Sequence, residues 1–241
     1  MLEYNQIYCG DCLELMKDIP DGSIDMILCD LPYGTTACKW DTIIPFEPLW
    51  KQYERIIKKN GAIVLTASQP FTSALVMSNP KLFKYCLIWE KNVNSNFMLA
   101  KKQPLRYHED ITVFYKKQPC YNPQMTEGAY YKRKRYDGEI LNTDCFNSKF
   151  IRKDSESNKR YPKSIIKIPR DERQVHPTQK PVALFEYLIR TYTDEGDLVL
   201  DNCAGSGTTG VACINTNRNY ILIEQEEEYC EIIKRRIDAQ L

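Results

Sequence analysis

Short apolar runs alternate with helical periodicities at both ends of the chain, and the alternation lapses in the middle. Residues 5–8 read as a strand, 12–16 as the opening of a short helix, and 24–29 as a buried strand. Across 48–59 the apolar positions Leu49, Tyr53, Ile56 and Ile57 share one helical face, and Lys59-Asn60-Gly61 ends it. Residues 62–67 form a second buried strand, 70–78 a helix, and 82–90 and 110–115 two more strands. After the lapse come a helix at 182–191, a strand at 197–200, a helix at 207–215, a strand at 220–223 and a last helix at 226–239. Uniformly apolar strands between helices predict an α/β fold, with a largely parallel sheet covered by helices on both faces. From about Lys116 to Arg173 the chain is polar, aromatic and basic, broken by Pro119, Pro123, Pro162 and Pro169. The expected organisation is one α/β domain in two parts, 1–116 and 174–241, with 117–173 inserted between them.

A chain of 241 residues buries about 70–75% of its unfolded surface and needs no covalent staples. No apolar stretch reaches membrane-spanning length, and Met1-Leu2-Glu3-Tyr4 lacks a basic segment and an apolar signal core. The expected location is the cytoplasm. Most of the ten cysteines lie in or beside apolar runs, and Cys9-Gly-Asp-Cys12 is the only Cys-x-x-Cys pair. With His108 and His176 remote from them, reduced buried thiols are expected and no metal site. The net charge of +1 conceals an asymmetry. Lys117 to Arg173 holds 14 Lys+Arg against 8 Asp+Glu, while the remainder holds 19 against 24. A basic segment in a mildly acidic body suits a localised nucleic-acid contact.

Two loops carry the candidate chemistry. Asp30-Leu31-Pro32-Tyr33 follows a buried strand and offers a carboxylate, a backbone carbonyl and an aromatic face, a set suited to holding the amino group of a planar base. Asp201-Asn202-Cys203-Ala204-Gly205-Ser206-Gly207-Thr208-Thr209 follows another strand and precedes a helix. Its glycines allow close backbone approach, and the helix start offers unpaired N–H groups to an anion. Glu224 ends the next strand, where a carboxylate can accept both hydroxyls of a ribose. The glycine loop matches neither Gly-x-Gly-x-x-Gly nor a phosphate loop ending Gly-Lys-Ser/Thr.

On these motifs the chain resembles the S-adenosylmethionine-dependent amino-methyltransferases of DNA. Gly205-Ser206-Gly207-Thr208-Thr209 matches their cofactor loop fully, with Asn202 and Cys203 where proline and phenylalanine are usual. Asp30-Leu31-Pro32-Tyr33 resembles their Asp-Pro-Pro-Tyr, with Leu31 for the first proline. An initial Asp is typical of adenine-N6 enzymes and an initial Ser of cytosine-N4 enzymes. The base-gripping loop precedes the cofactor loop, the order of the β group. Gly10-Asp11 and His176-Pro177-Thr178-Gln179-Lys180-Pro181 match further family elements, while Trp89-Glu90-Lys91 and His108-Glu109 fit weaker motifs and read as structural.

The resemblance implies a Rossmann-like methyltransferase sheet and direct methyl transfer to an extruded adenine, without a covalent intermediate. Pro119-Cys120 is the only candidate for the cysteine nucleophile of cytosine-C5 enzymes, and it lacks a sheet context. Asp30, Leu31, Pro32 and Tyr33 are then the active loop. Asp11, Cys12, Thr178, Lys180, Asp201, Asn202, Cys203, Ala204, Gly205, Ser206, Gly207, Thr208 and Glu224 would hold S-adenosylmethionine. Residues 117–173 would be the target-recognition region, in which Lys132, Arg133, Lys134, Arg135, Lys159 and Arg160 interleave with aromatics such as Tyr130, Tyr131 and Tyr161 to meet DNA. Lys39 and Trp40 would border the extruded base. The implied partners are duplex DNA and a second copy in a homodimer, with association with the nucleoid through DNA. The rival readings are a cytosine-N4 enzyme, an RNA base methylase and a catalytically silent DNA-binding subunit.

Overall fold

The computed structural model describes residues 2–36, 38, 41–133, 140–141, 150–151, 155–171 and 179–240; the side chains of 133, 140, 141, 150 and 151 are outside the description. In chain order the first part comprises β1 (Gln6–Cys9), α1 (Cys12–Leu15), β2 (Ile24–Asp30), α2 (Phe46–Ile56), β3 (Ile57–Ala67), α3 (Phe71–Ser78), β4 (Phe83–Glu90) and β5 (His108–Phe114). There follow β6 (Thr126–Arg133), β7 (Ile140–Leu141), β8 (Phe150–Ile151), β9 (Ser155–Arg160) and β10 (Ile165–Lys167). The last part holds α4 (Val182–Tyr192), β11 (Leu198–Asp201), α5 (Thr208–Asn215), β12 (Asn219–Glu224) and α6 (Glu227–Asp238).

Eight strands form one sheet in the order β1-β12-β11-β2-β3-β5-β4-β10. Neighbours run parallel except where β5 pairs with β3 and β4, so the predicted largely parallel sheet is present. Alternate residues of the central strands enter two different cores, as the two-residue period of a strand requires. Ile27, Cys29, Ile63, Leu65 and Leu200 pack with Leu49, Tyr53 and Phe71 of α2 and α3. Met26, Leu28, Val64, Val199 and Leu222 pack with Leu184, Leu188, Ala212 and Ile233 of α4, α5 and α6. Helices thus cover both faces, which is why these strands carry no polar alternation.

Strand order places the site. β11 continues to β12 on one side and β2 to β3 on the other, while β11 and β2 are themselves parallel neighbours, with Val199 opposite Met26 and Leu200 opposite Ile27. Their carboxyl ends therefore open side by side at a reversal of strand order, the place where open α/β sheets form a crevice.

Two expectations need correction. The helix read across 48–59 ends at Ile56, because Ile57 turns extended and begins β3 opposite Ile24. Ile57 is buried, and Lys58 Nζ bonds both carboxylate oxygens of Asp25 at 2.7 and 2.8 Å. Pairing across the sheet thus overrides the local helical periodicity. The stretch 117–173 is also more regular than its composition suggests. Residues 123–163 form a separate compact unit in which β6 pairs antiparallel with β9 and β7 with β8. Beyond it β10 joins the main sheet alongside β4. Among the described residues no helix is long and apolar enough to cross a membrane.

Candidate active site

β2 delivers Asp30 to the carboxyl edge of the sheet, and three donors fix its carboxylate there. Tyr33 Oη at 2.6 Å and Thr66 Oγ1 donate to Oδ1, and Lys180 Nζ donates to Oδ2 at 2.6 Å. A carboxylate has about four acceptor positions, so one remains. Leu31 is 3% exposed and sits in the core, which anchors the loop where the family usually has proline. Tyr33 stacks on Phe71 with ring centroids 5.1 Å apart. Burial, then the charges of Asp30 and Glu109, raise its phenol well above the ordinary value and keep it a donor. Asp41 closes the loop that follows by accepting the N–H groups of Gly34, Thr35 and Thr36 at 2.8, 2.9 and 2.7 Å.

Lys180 belongs to a buried line of alternating charge. Its ammonium lies 3.4 Å from Glu109 Oε2, and Lys91 Nζ bonds Glu109 Oε1 at 2.9 Å. Burial alone would lower the Lys180 pKa, but the carboxylates of Asp30 and Glu109 hold it above the ordinary lysine value. Glu109 shows the mirror effect: burial pushes its carboxyl up, and Lys180 and Lys91 more than reverse that. The backbone carbonyl of Lys180 also accepts from Thr208 Oγ1 at 3.3 Å. One residue therefore ties the loop after β2 to the loop after β11.

The second loop is fixed by its own polar groups. Asp201 accepts from Cys203 N–H at 3.1 Å and from the Thr209 hydroxyl; burial raises its pKa to about 7. Tyr53 Oη donates to Asn202 Oδ1 at 2.5 Å, and the Cys203 thiol meets those of Cys12 and Cys29. This packing is what Asn202 and Cys203 put in the place of proline and phenylalanine. Glu224 Oε2 accepts from Gly205 N–H at 2.7 Å and Oε1 from Glu226 N–H at 3.0 Å, while burial raises its pKa. Arg236 donates to the carbonyl and hydroxyl of Ser206 at 2.6 and 2.9 Å.

Gly207 caps α5 at φ 80°, and a Cβ there would lie 2.7 Å from Ile233. Gly207→Ala is expected to cost about 1–3 kcal/mol of stability in denaturant unfolding. An unchanged midpoint would mean that α6 gives way freely.

The structure brings most of the predicted site together. Asp11, Cys12, Asp30, Leu31, Pro32, Tyr33, Lys180, the stretch Asp201 to Ser206, Thr208 and Glu224 line one cavity of about 760 Å³. Asp11 also caps α1 by accepting Glu14 N–H at 3.0 Å. Gly207 supports the loop without lining the cavity, and Thr178 lies outside the described residues. So do Lys39, Trp40, Lys134 and Arg135, and Arg133 is described only in its backbone. In the unit 123–163, Lys132 pairs with Glu156 at 3.2 Å, Lys159 lies on β9, and the Arg160 guanidinium sits 4.6 Å from the Tyr131 ring centroid. Among the described residues no cluster of His, Cys, Asp and Glu is placed to hold a metal ion. Thr66, Asp41, Lys91 and Glu109 brace Asp30, its loop or Lys180 in the structure, positions that the sequence did not disclose as such.

The family model for DNA methylases matches residues 24–235, a span that includes both loops and Lys180. The chain belongs to the DNA methylase family. Two relatives match almost end to end. The Type II methyltransferase M2.MboI of Moraxella bovis is 30% identical, covering 95% of this chain and 86% of that protein. The DNA adenine methyltransferase YhdJ of Escherichia coli (strain K12) is also 30% identical, over 98% and 84%. The solved structure of the M1.HpyAVI–SAM complex superposes with a TM-score of 0.65 at 26% identity, covering 96% of this chain and 98% of that one. The cytosine-N4-specific PvuII DNA methyltransferase superposes with a TM-score of 0.71, over 98% and 87%. At 17% identity that likeness is one of fold alone.

Proposed function

We propose that this DNA methylase transfers a methyl group from S-adenosylmethionine to the N6 amino group of adenine in duplex DNA. The observation that carries the reading is a single cavity lined by Asp30, the glycine loop and Glu224 together, with Lys180 bonded to both Asp30 and Thr208. An aspartate rather than a serine at the head of the active loop favours adenine. So does the name of YhdJ, a DNA adenine methyltransferase similar to this chain along nearly its whole length.

When bound, S-adenosylmethionine supplies an electrophilic methyl group. The backbone of Gly205 and its neighbours, with Thr208, Asp11, Cys12 and Thr178, would hold it, and the Glu224 carboxylate would accept its ribose hydroxyls. An exocyclic amino nitrogen is a poor nucleophile because its lone pair is delocalised into the ring. The free acceptor position of Asp30 and the carbonyl of Leu31 would take its two hydrogens and draw the nitrogen toward tetrahedral geometry. Tyr33 offers a wall for the extruded ring, whose unstacking costs a few kcal/mol. Acceptors already fixed by hydrogen bonds need no reorganisation as positive charge develops on the nitrogen.

Residues 117–173 would contact the target sequence through Lys132, Arg133, Lys134, Arg135, Lys159 and Arg160, with Lys39 and Trp40 beside the extruded base. A recognition region this small favours a second copy as partner, which sedimentation velocity reads directly. Association with the nucleoid would follow from DNA binding.

The test is to incubate the protein with S-adenosylmethionine and mixed-sequence duplex DNA, digest to nucleosides and identify the product by mass spectrometry. N6-methyldeoxyadenosine supports the reading, N4-methyldeoxycytidine overturns the choice of base, and unmodified DNA overturns the reaction. The cofactor half has its own prediction. Glu224→Gln keeps an acceptor for Gly205 N–H and removes the charge, so KM for S-adenosylmethionine should rise about ten- to hundredfold with kcat little changed. An unchanged KM would remove Glu224 from the cofactor.

A further inference from the structure

Between β4 and β5 the chain leaves the sheet for residues 91–107 and returns through a closed stem. Lys91 N–H donates to the Tyr107 carbonyl at 2.7 Å, and Ser95 N–H to the Arg106 carbonyl at 3.1 Å. The Asn96 side chain accepts Arg106 N–H at 2.6 Å and donates to the Pro104 carbonyl at 3.1 Å. A short 3-10 turn, Phe97–Leu99, forms the tip. This is a braced projection, and its end is apolar: Phe97 is 72% exposed and Met98 92%. Burying such side chains would yield about 1.5–3 kcal/mol each, so their display needs a reason.

Charge and position supply one. Residues 91–107 contain Lys91, Lys101, Lys102 and Arg106 and no acidic side chain, and Lys101 and Lys102 are exposed beside the apolar tip. At the stem, Ser95 and Arg106 line the same cavity as Asp30, and Arg106 donates to Ser68 Oγ at 2.9 Å. The projection therefore grows from the wall of the active cavity. Apolar side chains flanked by cations, with no anion among them, match a duplex whose backbone is a polyanion and whose stacked bases are apolar.

We propose that the turn 97–102 is a DNA wedge. Lys101 and Lys102 hold phosphates beside the target, while Phe97 and Met98 enter the stack that the extruded base vacates. The inference rests on the reading of the protein as a methylase of DNA bases and adds a contact surface outside 117–173.

Two variants test it. Phe97→Ser/Met98→Ser changes only exposed side chains. It should slow methylation of mixed-sequence duplex DNA about ten- to hundredfold, the equivalent of a few kcal/mol of unstacking. Methylation of the same DNA as single strands, whose bases are already unstacked, should change less than threefold, and binding of S-adenosylmethionine should not change. Equal losses on both substrates, or none on either, overturn the wedge. Loss of a dimer in sedimentation with unchanged methylation would assign the tip to a second copy and overturn it too. Lys101→Ala/Lys102→Ala should reduce the slope of log K against log salt for duplex binding by about two, and an unchanged slope overturns the phosphate contacts. Should the wild-type protein bind DNA yet transfer no methyl group, the reading of its reaction fails, while the salt slope still decides whether the turn 97–102 meets DNA.

Discussion

Asp30→Ala should leave the protein folded and able to bind S-adenosylmethionine, yet slow methyl transfer about a hundred- to a thousandfold, as loss of one preorganised polar group at a reacting centre does. The structure explains why the fold should survive. Removal of the carboxylate leaves Lys180 paired with Glu109, and leaves Tyr33 Oη with Thr66 Oγ1 as a partner at 3.2 Å. No counter-ion is stranded, and Leu31 still anchors the loop in the core. Single-turnover rates on duplex DNA measure the effect, and calorimetric titration of S-adenosylmethionine supplies the control. A cofactor affinity lowered tenfold or more would place Asp30 on the cofactor instead of the base.

What could be read from the sequence was whatever local pattern determines. Buried strands announce themselves by uninterrupted apolar runs, so β2, the C-terminal half of β3 and β11 were legible, and with them the loops they carry. The end of α2 was not legible, because Ile57 and Lys58 continue a helical pattern while their partners, Ile24 and Asp25, lie more than thirty positions away. The weak patterns of β6 and β9 were hidden for the same reason: strands with exposed polar faces show little periodicity, and only their mutual pairing reveals them.

The candidate site divides along the same line. Asp30 and Glu224 end strands and Gly205 lies in the loop directly after one, where sequence motif and position coincide. Glu109 and Lys91 read as structural because the sequence does not show β4 beside β5. Only that pairing sets Trp89 opposite Glu109 and brings Lys91 back to the cavity wall. Lys180 read as a cofactor residue from the segment around it. Its ammonium lies on Asp30, a contact across 150 positions that spacing cannot reveal. Phe97 and Met98 stand out only in the structure, because exposed apolar residues in a loop have no sequence signature.

Lys180→Met should be the costliest single change in the active cavity. Lys180 is 7% exposed, and its removal leaves Asp30 with no cation and Glu109 with one instead of two. Breaking a buried ion pair from one side costs about 3–5 kcal/mol, and transfer should slow because Asp30 Oδ2 loses the donor that fixes it, while Tyr33 and Thr66 still hold Oδ1. The stability loss should depend on pH in a defined direction. Although burial raises the Glu109 carboxyl, Lys180 and Lys91 hold it below its ordinary value. A carboxyl depressed in the folded state stabilises the fold above its unfolded pKa and loses that contribution as pH falls through the folded one. The gap in Tm between wild type and Lys180→Met should therefore be widest near neutrality. It should narrow as pH falls toward and below about 4, where an ordinary Glu protonates. Lys180→Met/Asp30→Asn should recover part of the lost stability at pH 7 while transfer stays slow, since the second change removes the charge left without a cation and does not restore the carboxylate, and Glu109 keeps Lys91. A gap independent of pH, or a double variant no more stable than the single one, would show that Lys180 contributes by packing and not by charge.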